Sequence, residues 1–366
     1  MNRITIYLFL AIFFFLSCKK ENENPVIKQM SGVRGYQNWY IDNFRCGLFV
    51  PPSYDISKKY PLIIYLHGYT DTTTWNLQWY NEPIVSDNPC IVLTPKCPRE
   101  EIYGWGDSFD PRTSPMMSKT YQMMDMVRQA FNLDQDRYYI YGVSMGGYGT
   151  YGVIQKNPDM FAAGYAECGR PNIEIAPTIA SIPFWIFHGS DDPVVPVQPD
   201  RDLYKAVIDY GGTQIRYTEY PGVAHNVWDY VGKETTLNSW LLAQRKGSVH
   251  NRPDGISNFT ADLSADNKIH LQWDLPNGAD IAQDNKVWYC RIYRNNEAIT
   301  EVYNDRISYI DSTAKGPADF EYKITVVNFY FKESVPSQSI TITLRERRGE
   351  KETKGRRDNA TRESEI

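Results

Sequence analysis

Short apolar runs alternate with amphipathic stretches of helical period from residue 36 to residue 246. The runs that predict strands are Asn43 to Val50, Pro61 to Leu66, Cys90 to Pro95, Tyr138 to Val143, Ala162 to Ala166, Phe184 to Phe187 and Arg216 to Tyr220. The stretches that predict helices are Met116 to Phe131, Gly146 to Lys156, Asp200 to Tyr210 and Lys233 to Arg245. This alternation is typical of an α/β domain in which helices cover a mostly parallel sheet.

The period of the pattern changes after a polar linker at residues 247–253. Residues 254–344 alternate apolar and polar positions with period two, as in Ile269 to Trp273 and Phe320 to Val326. Short alternating strands over about 90 residues predict an all-β, immunoglobulin-like sandwich. The rings that we expect to fill its core are Trp273, Tyr289, Tyr293 and Tyr322.

The two ends of the chain are unlike the rest. Residues 1–18 combine Arg3 with a predominantly apolar run from Ile4 to Leu16, which suits a signal peptide and is short for a membrane span. Ser17-Cys18 followed by Lys19-Lys20 resembles a bacterial lipoprotein cleavage site. It implies lipidation of Cys18, an exported protein and a lipid anchor in a bacterial membrane, expected to be the outer one. The alternative is an ordinary signal peptide with an incidental cysteine.

Two further segments complete the predicted organisation. Residues 19–35 are polar and predict a tether between the anchor and the first domain. Residues 345–366 are mostly charged, with both signs present and almost no apolar side chains. Such a composition cannot bury a core, so the sequence predicts a disordered tail.

Net charge, cysteine content and residue spacing limit the kinds of partner, disulfide and metal site that we expect. The net charge is −5 and no basic patch interleaved with aromatic residues appears, so no nucleic-acid partner is expected. One of the six cysteines is Cys18, and the odd number that remains implies at least one free thiol in an exported protein. No histidine or cysteine cluster has zinc spacing, so the sequence predicts no metal site, and no motif calls for a cofactor.

The candidate chemistry begins at a glycine-flanked serine. Gly142-Val143-Ser144-Met145-Gly146 lies between a predicted strand and a predicted helix, which is the context of the nucleophile elbow. A serine exposed on so tight a turn needs small residues two positions before and after it. Ser144 is therefore the predicted nucleophile.

A serine nucleophile needs a base and a carboxylate that orients the base. Among the five histidines, His225 alone lies in the first domain after a candidate acid, in a loop that follows a strand. The acid is expected in Ser190-Asp191-Asp192-Pro193, again after a strand. Asp192 is favoured because the following proline biases it to an extended conformation; Asp191 is the alternative, and otherwise caps a turn.

Oxyanion stabilisation requires two backbone N–H donors. We expect them from Met145, which follows the nucleophile, and from Tyr69, which follows His67-Gly68 after a strand. Trp105 and Trp228 lie in loops of the same predicted face and are candidates for substrate binding. Trp75 and Trp79 either line the same opening or pack a helix onto the sheet.

Four motifs in order resemble those of exported α/β-hydrolase esterases. They are His67-Gly68, Gly142 to Gly147, His188 to Pro196 and His225 to Trp228. The similarity, to feruloyl and acetyl-xylan esterases, polyhydroxyalkanoate depolymerases and dienelactone hydrolases, covers residues 36–246. It implies a serine carboxylesterase with the triad Ser144, Asp192 and His225. The second domain resembles a fibronectin type III module of polymer-degrading enzymes, which implies a polymeric or surface-bound substrate. We expect an ester-bearing substrate, namely a decorated plant polysaccharide.

Three alternatives stay open on the sequence alone. A peptidase of the prolyl oligopeptidase type has the same elbow and the same order of triad residues, but no propeller is evident in this chain. A polyester depolymerase would share the whole site. A non-catalytic surface binding protein would have the same fold, but its Ser144 would not act as a nucleophile.

Overall fold

The computed structural model describes residues 25–69, 79, 84–99, 101, 104–276, 284, 286–303 and 306–345. Eight strands form one mixed sheet in the order β1-β2-β4-β3-β5-β6-β7-β8. Six neighbouring strands, namely β4, β3, β5, β6, β7 and β8, are mutually parallel. Strand β2 runs antiparallel to both β1 and β4. The strands are β1 (Gly35–Ile41), β2 (Phe44–Val50), β3 (Tyr60–Leu66), β4 (Ile91–Pro95), β5 (Leu133–Val143), β6 (Ala163–Glu167), β7 (Phe184–Gly189) and β8 (Ile215–Tyr220).

Helices cover the two faces of this sheet unequally. One face is covered by α1 (Pro25–Ser31), α3 (Pro115–Ala130), α4 (Met145–Lys156), α5 (Ala176–Ile179) and α6 (Gln198–Asp209). The other face is covered by the short helices α2 (Ile84–Asp87), α7 (Trp228–Val231) and α8 (Leu237–Ala243). The helix predicted from Lys233 to Arg245 is shorter in the structure, because it begins at Leu237 and ends at Ala243.

The amino-terminal side of the first domain is larger than predicted. Residues 25–31 form α1, and Met30 and Val33 are buried in the core with 0% and 4% exposure. The tether prediction for residues 19–35 is therefore wrong for its second half. Strand β1 was also not predicted; it is an edge strand with only Trp39 buried, so it lacks the continuous apolar run of the central strands.

Two antiparallel sheets follow the α/β domain. The first has the order β13-β10-β9 and the second the order β12-β11-β14-β15. Their strands are β9 (Ser257–Leu263), β10 (Ile269–Asp274), β11 (Val287–Arg294), β12 (Glu297–Tyr303), β13 (Ser308–Asp311), β14 (Ala318–Asn328) and β15 (Ile340–Leu344). Both sheets contribute to one core, in which Trp273 and Tyr322 are fully buried. The expectation for the other two rings was wrong, because Tyr289 belongs to the cluster that includes Trp185 and Trp240 of the first domain, and Tyr293 is only half-buried. The likeness to a fibronectin type III module stays a prediction.

The all-β part packs directly on the less covered face of the large sheet. The Trp288 ring meets that of Trp185 at 5.3 Å between centroids and stacks near Trp240 at 6.3 Å. The guanidinium of Arg216 lies over the Trp288 ring at 4.9 Å and pairs with Glu301 at 2.9 Å. The two domains therefore share an interface, which the polar linker at residues 247–253 does not indicate.

Cysteines and helices add two observations. The five described cysteines, Cys46, Cys90, Cys97, Cys168 and Cys290, are buried free thiols. Among the described residues, no helix has both the length and the apolar character needed to cross a bilayer. The predicted signal peptide, including Cys18, and residues 346–366 of the predicted tail lie outside the described residues.

Candidate active site

Ser144 lies on a strained turn between β5 and α4. Its backbone has φ of 55° and ψ of −116°, in a region that residues with a side chain rarely adopt. Its N–H donates to the carbonyl of Glu167 on the neighbouring strand at 2.8 Å. The register pairs Val143 with Glu167, so the strands end together and Ser144 projects at their carboxyl edge.

The two elbow glycines are required by close backbone contacts. A Cβ atom at Gly146 would lie 1.8 Å from the carbonyl oxygen of Leu66. A Cβ at Gly142 would lie 2.3 Å from the oxygen of Gly146. Since real Cβ contacts do not approach so closely, no other residue fits either position without moving the turn that holds Ser144.

The structure brings Ser144, His225 and Asp192 into one hydrogen-bonded chain. His225 Nε2 lies 2.9 Å from Ser144 Oγ, and His225 Nδ1 lies 2.7 Å from Asp192 Oδ2. The hydroxyl can donate to Nε2 only if Nδ1 carries the ring proton, which it then donates to Asp192. Asp191 does not take part, since it is exposed and accepts a hydrogen bond from Ser190 Oγ at 2.6 Å.

The environment of Asp192 keeps its carboxylate ionised. Its side chain is 0% exposed, and this burial alone would raise its pKa. Hydrogen bonds from His225 and from the backbone N–H groups of Val195 and Val194 outweigh burial and lower the pKa below its usual value. A charged acceptor therefore faces His225 at neutral pH.

The loop after β3 lies against the nucleophile. A Cβ at Gly68 would be 3.6 Å from Ser144 Cβ, so this loop is in van der Waals contact with the elbow. His67 holds the loop, because its Nδ1 lies 2.7 Å from the oxygen of Gly68 and its Nε2 accepts from Cys97 N–H at 3.0 Å. The N–H of Met145, at the first position of α4, has no partner within the helix. Tyr69 follows Gly68 in this loop and Met145 follows Ser144 in the chain; their role as oxyanion donors stays a prediction.

Trp105 does not line the site, which corrects the prediction. It is 1% exposed, and its Nε1 donates to the oxygen of His67 at 2.9 Å. Trp79 is likewise buried, with its Nε1 bonded to Tyr141 at 3.1 Å, while Trp75 is outside the described residues. Trp228 is 43% exposed and its ring stands edge-on to that of His225 at 5.7 Å. Of the aromatic candidates, Trp228 remains available to a substrate.

Two buried groups beside the elbow, Glu167 and Cys168, were not predicted from the sequence. Burial raises the pKa of the Glu167 carboxyl to about 8, so it is protonated at neutral pH. The sulfur of Cys168, a carboxylate oxygen of Asp192 and a ring nitrogen of His225 all lie within 4.8 Å of one another. Burial raises the pKa of the Cys168 thiol, which disfavours the thiolate that a metal needs, and the other two groups already bind each other. This arrangement favours hydrogen bonding over metal binding.

Comparisons with known proteins agree with this geometry. A model of the prolyl oligopeptidase family matches residues 117–185, which include the elbow and its helix. Dipeptidyl-peptidase 5 of Porphyromonas gingivalis is 28% identical over 141 residues, covering 36% of this chain and 20% of the relative. A bifunctional acetylxylan esterase/xylanase of Neocallimastix patriciarum is 27% identical over 156 residues, covering 41% of this chain and 22% of the relative. The match therefore spans only about a fifth of each relative.

A solved structure extends the comparison to the fold. The crystal structure of a thermostable esterase is 29% identical, with a TM-score of 0.53, and the match covers 58% of this chain and 63% of the other. Together with the strand order, the strained serine and its histidine and aspartate partners, these likenesses lead to one conclusion. The chain is a serine hydrolase with the α/β-hydrolase fold.

Proposed function

We propose that this protein is an exported serine carboxylesterase that removes feruloyl or acetyl groups from plant polysaccharide. The observation that carries the proposal is the continuous hydrogen-bonded chain from Ser144 through His225 to Asp192 at the carboxyl edge of the sheet. The likeness to a thermostable esterase and to an acetylxylan esterase/xylanase supports ester over peptide chemistry.

In this proposal each group of the site has one role. His225 takes the proton of Ser144 as the hydroxyl attacks the ester carbonyl, and it later returns a proton to the leaving alcohol. Asp192 orients the ring and stabilises the imidazolium that forms. The backbone N–H groups of Met145, which follows Ser144, and of Tyr69, which follows Gly68 in the loop against the elbow, are the proposed donors to the oxyanion of the tetrahedral intermediate. Water then hydrolyses the acyl-enzyme.

Trp228 is the proposed contact for the acyl ring or the sugar. Its exposed indole stands beside the base, where it can stack on a flat ligand without moving. An aromatic feruloyl ester would gain more from this contact than an acetyl ester. The ratio of the two activities in a Trp228→Ala variant therefore tests which acyl group the site prefers.

A substrate panel tests the proposed function. The purified protein is compared on acetylated xylan, methyl ferulate, a soluble polyester and a dipeptidyl chromogenic substrate. We expect hydrolysis of the first two and labelling of Ser144 by a fluorophosphonate, located by mass spectrometry. Labelling without turnover of any ester would contradict the esterase and leave a hydrolase of another specificity, whereas absence of labelling would favour a non-catalytic binding protein.

A peptidase is the second candidate, and one observation favours it. The family model and two dipeptidyl-peptidase 5 relatives belong to peptidases, although the chain spans only 20% and 24% of those relatives. Release of dipeptides from the chromogenic substrate at a rate above that of ester hydrolysis would support it. The same triad would then act on an amide.

Replacing the triad acid should separate Asp192 from its neighbour. Asp192→Asn should lower kcat by about 10³ to 10⁴, because the amide can donate to His225 Nδ1 and so favour the wrong tautomer. Asp191→Asn is the matched control; its carboxylate is exposed and bonded to Ser190, so activity should stay within about twofold. Steady-state kinetics decide, and the opposite ranking would move the acid by one position.

The anchor belongs to the proposal and is tested by Cys18→Ser. Diacylglycerol attachment needs the thiol, so the variant should leave the membrane fraction and keep its esterase activity. Fractionation of cells that express each form, followed by activity assays, measures this. Unchanged membrane association of the serine variant would instead support an uncleaved apolar segment as the anchor.

A further inference from the structure

A second histidine lies directly behind the triad acid. His188, the second-to-last residue of strand β7, is 0% exposed. Its Nε2 lies 3.3 Å from Asp192 Oδ2 and 3.0 Å from the carbonyl oxygen of Val195. On the other side of the ring, Nδ1 lies 2.5 Å from Oδ2 of Asp200, which is also fully buried. One imidazole thus stands between two aspartates.

The partners of His188 fix where its protons are. A carbonyl oxygen only accepts, so Nε2 must carry a hydrogen that points towards Val195 and Asp192. At 2.5 Å, Nδ1 and the Asp200 carboxyl must also share a proton. Burial alone would lower the pKa of His188, but the hydrogen bond and charge of Asp200 outweigh it and raise that pKa, while burial raises the pKa of Asp200. The raised pKa of His188 and the raised pKa of Asp200 both favour a proton that stays between Nδ1 and the carboxyl group.

The Nε2–H of His188 faces the Asp192 carboxylate, and both oxygens of that carboxylate accept hydrogen bonds from other groups. Oδ1 of Asp192 accepts from the N–H groups of Val194 and Val195 at 2.8 and 2.9 Å. Oδ2 accepts from His225 and faces His188. Because His188 contacts both Asp192 and the carbonyl of Val195, it ties the carboxylate to the loop that presents it.

We infer that His188 is a positioning residue, and that with Asp200 it forms a second histidine–aspartate pair that holds Asp192 in the orientation His225 requires. Five side chains then run in line from Asp200 through His188, Asp192 and His225 to Ser144. The inference rests on the proposed function, since it assigns His188 a part in presenting the base to the nucleophile.

Burial raises the pKa of Cys168 and of Tyr148, which both interact with Asp192 and Asp200, so both stay neutral there. The remaining charged and titratable groups near the pair also leave this assignment intact. Tyr151 of α4 donates to Asp200 Oδ1 at 2.6 Å, and burial keeps it un-ionised by raising its pKa well above the usual value. Glu219 of β8 is held by Arg201 at 2.6 Å, and Arg201 is the main cause of its lowered pKa, with a smaller contribution from His188. Tyr217 donates to the same glutamate. None of these groups takes the place of His188 at Asp192.

Two substitutions at His188 test the inference. In His188→Leu the donor is lost, so kcat on a soluble ester should fall about 100-fold while KM changes by less than about threefold. With no donor beside it, the Asp192 carboxylate holds the imidazolium of His225 more strongly. The rising limb of kcat/KM should therefore move to higher pH. His188→Gln keeps a donor near the Nε2 position, so its kcat should be at least about tenfold higher than that of His188→Leu. The rising limb of its kcat/KM profile should move less towards high pH.

A second pair of variants decides the matter if His188→Leu does not fold. In Asp200→Asn the amide can donate to Nδ1 and accept from Tyr151, which preserves the Nε2–H; kcat should stay within about fivefold. Asp200→Leu removes the partner of Nδ1 and should lower kcat by a further factor of about ten or more. Equal losses in the two Asp200 variants would overturn the inference.

Tyr139→Phe is the control for stability. It removes a buried hydrogen bond to the oxygen of Gln244 at 2.7 Å, away from the triad. We expect a lower melting temperature with unchanged kcat and an unchanged pH profile. His188→Leu activity within about threefold of wild type, or a loss without movement of the pH limb, would reduce His188 to a structural role. Retained activity in Ser144→Ala would instead refute the proposed function itself.

Discussion

Ser144→Ala should lower the turnover of a soluble ester by at least about 10³, the loss expected when a triad nucleophile is removed. The turn itself should persist, because the close contacts at Gly142 and Gly146 and the hydrogen bond from residue 144 N–H to Glu167 involve only backbone atoms. The KM is expected to change little. Steady-state kinetics and fluorophosphonate labelling measure the two effects together.

Ser190→Ala is the matched control for the nucleophile. Ser190 lies beside the acid loop, and its hydroxyl donates to Asp191 and accepts from Gly222 N–H at 2.8 Å. Its loss should leave turnover within a few-fold. If Ser144→Ala keeps activity within tenfold of wild type, another group is the nucleophile and the whole assignment of the site is wrong.

The parts of the site that the sequence predicted are those that local chemistry dictates. The elbow needs glycine at positions 142 and 146, so its pattern can be read from five residues. Asp192 and His225 each follow a strand of a parallel sheet, and the carboxyl ends of such strands meet at one edge. The structure brings both to Ser144, as that rule implies.

The errors concern the direction in which side chains point. Trp105 occurs in a loop of the expected face, but the loop turns its ring inward to bond His67. His188 ends a strand, and nothing near it in sequence shows that Asp200, a full twelve residues later, reaches its Nδ1. Trp288 alternates like a core residue of its own sheet, whereas it packs against the other domain. Each of these side-chain orientations depends on tertiary contacts, which the local spacing of apolar and polar residues does not show.

The interface predicts that deletion of residues 247–366 will destabilise the first domain. The truncated chain would lose the cover of Trp185 and Trp240, both 0% exposed in the full protein. It would also lose the hydrogen bond from Gln244 Nε2 to the oxygen of Phe329 at 2.7 Å and the partners of Arg216. On that face the described helices α7 and α8 span only four and seven residues, so the module contributes to the cover of the sheet there. Nothing in the polar linker at residues 247–253 indicates this interface from the sequence.

We now expect the truncated protein to be insoluble or to melt well below the full chain, because large apolar side chains each contribute about 1.5–3 kcal/mol when buried. Deletion of residues 346–366 alone is the control and should change neither solubility nor ester turnover. The substitution Trp288→Ala tests the interface within the full chain. Loss of a buried tryptophan costs about 3–5 kcal/mol, so its melting temperature should fall by several degrees. A truncated enzyme that is soluble, melts like the full chain and keeps its rate would show that these contacts contribute little, and would favour an independent spacer or docking module.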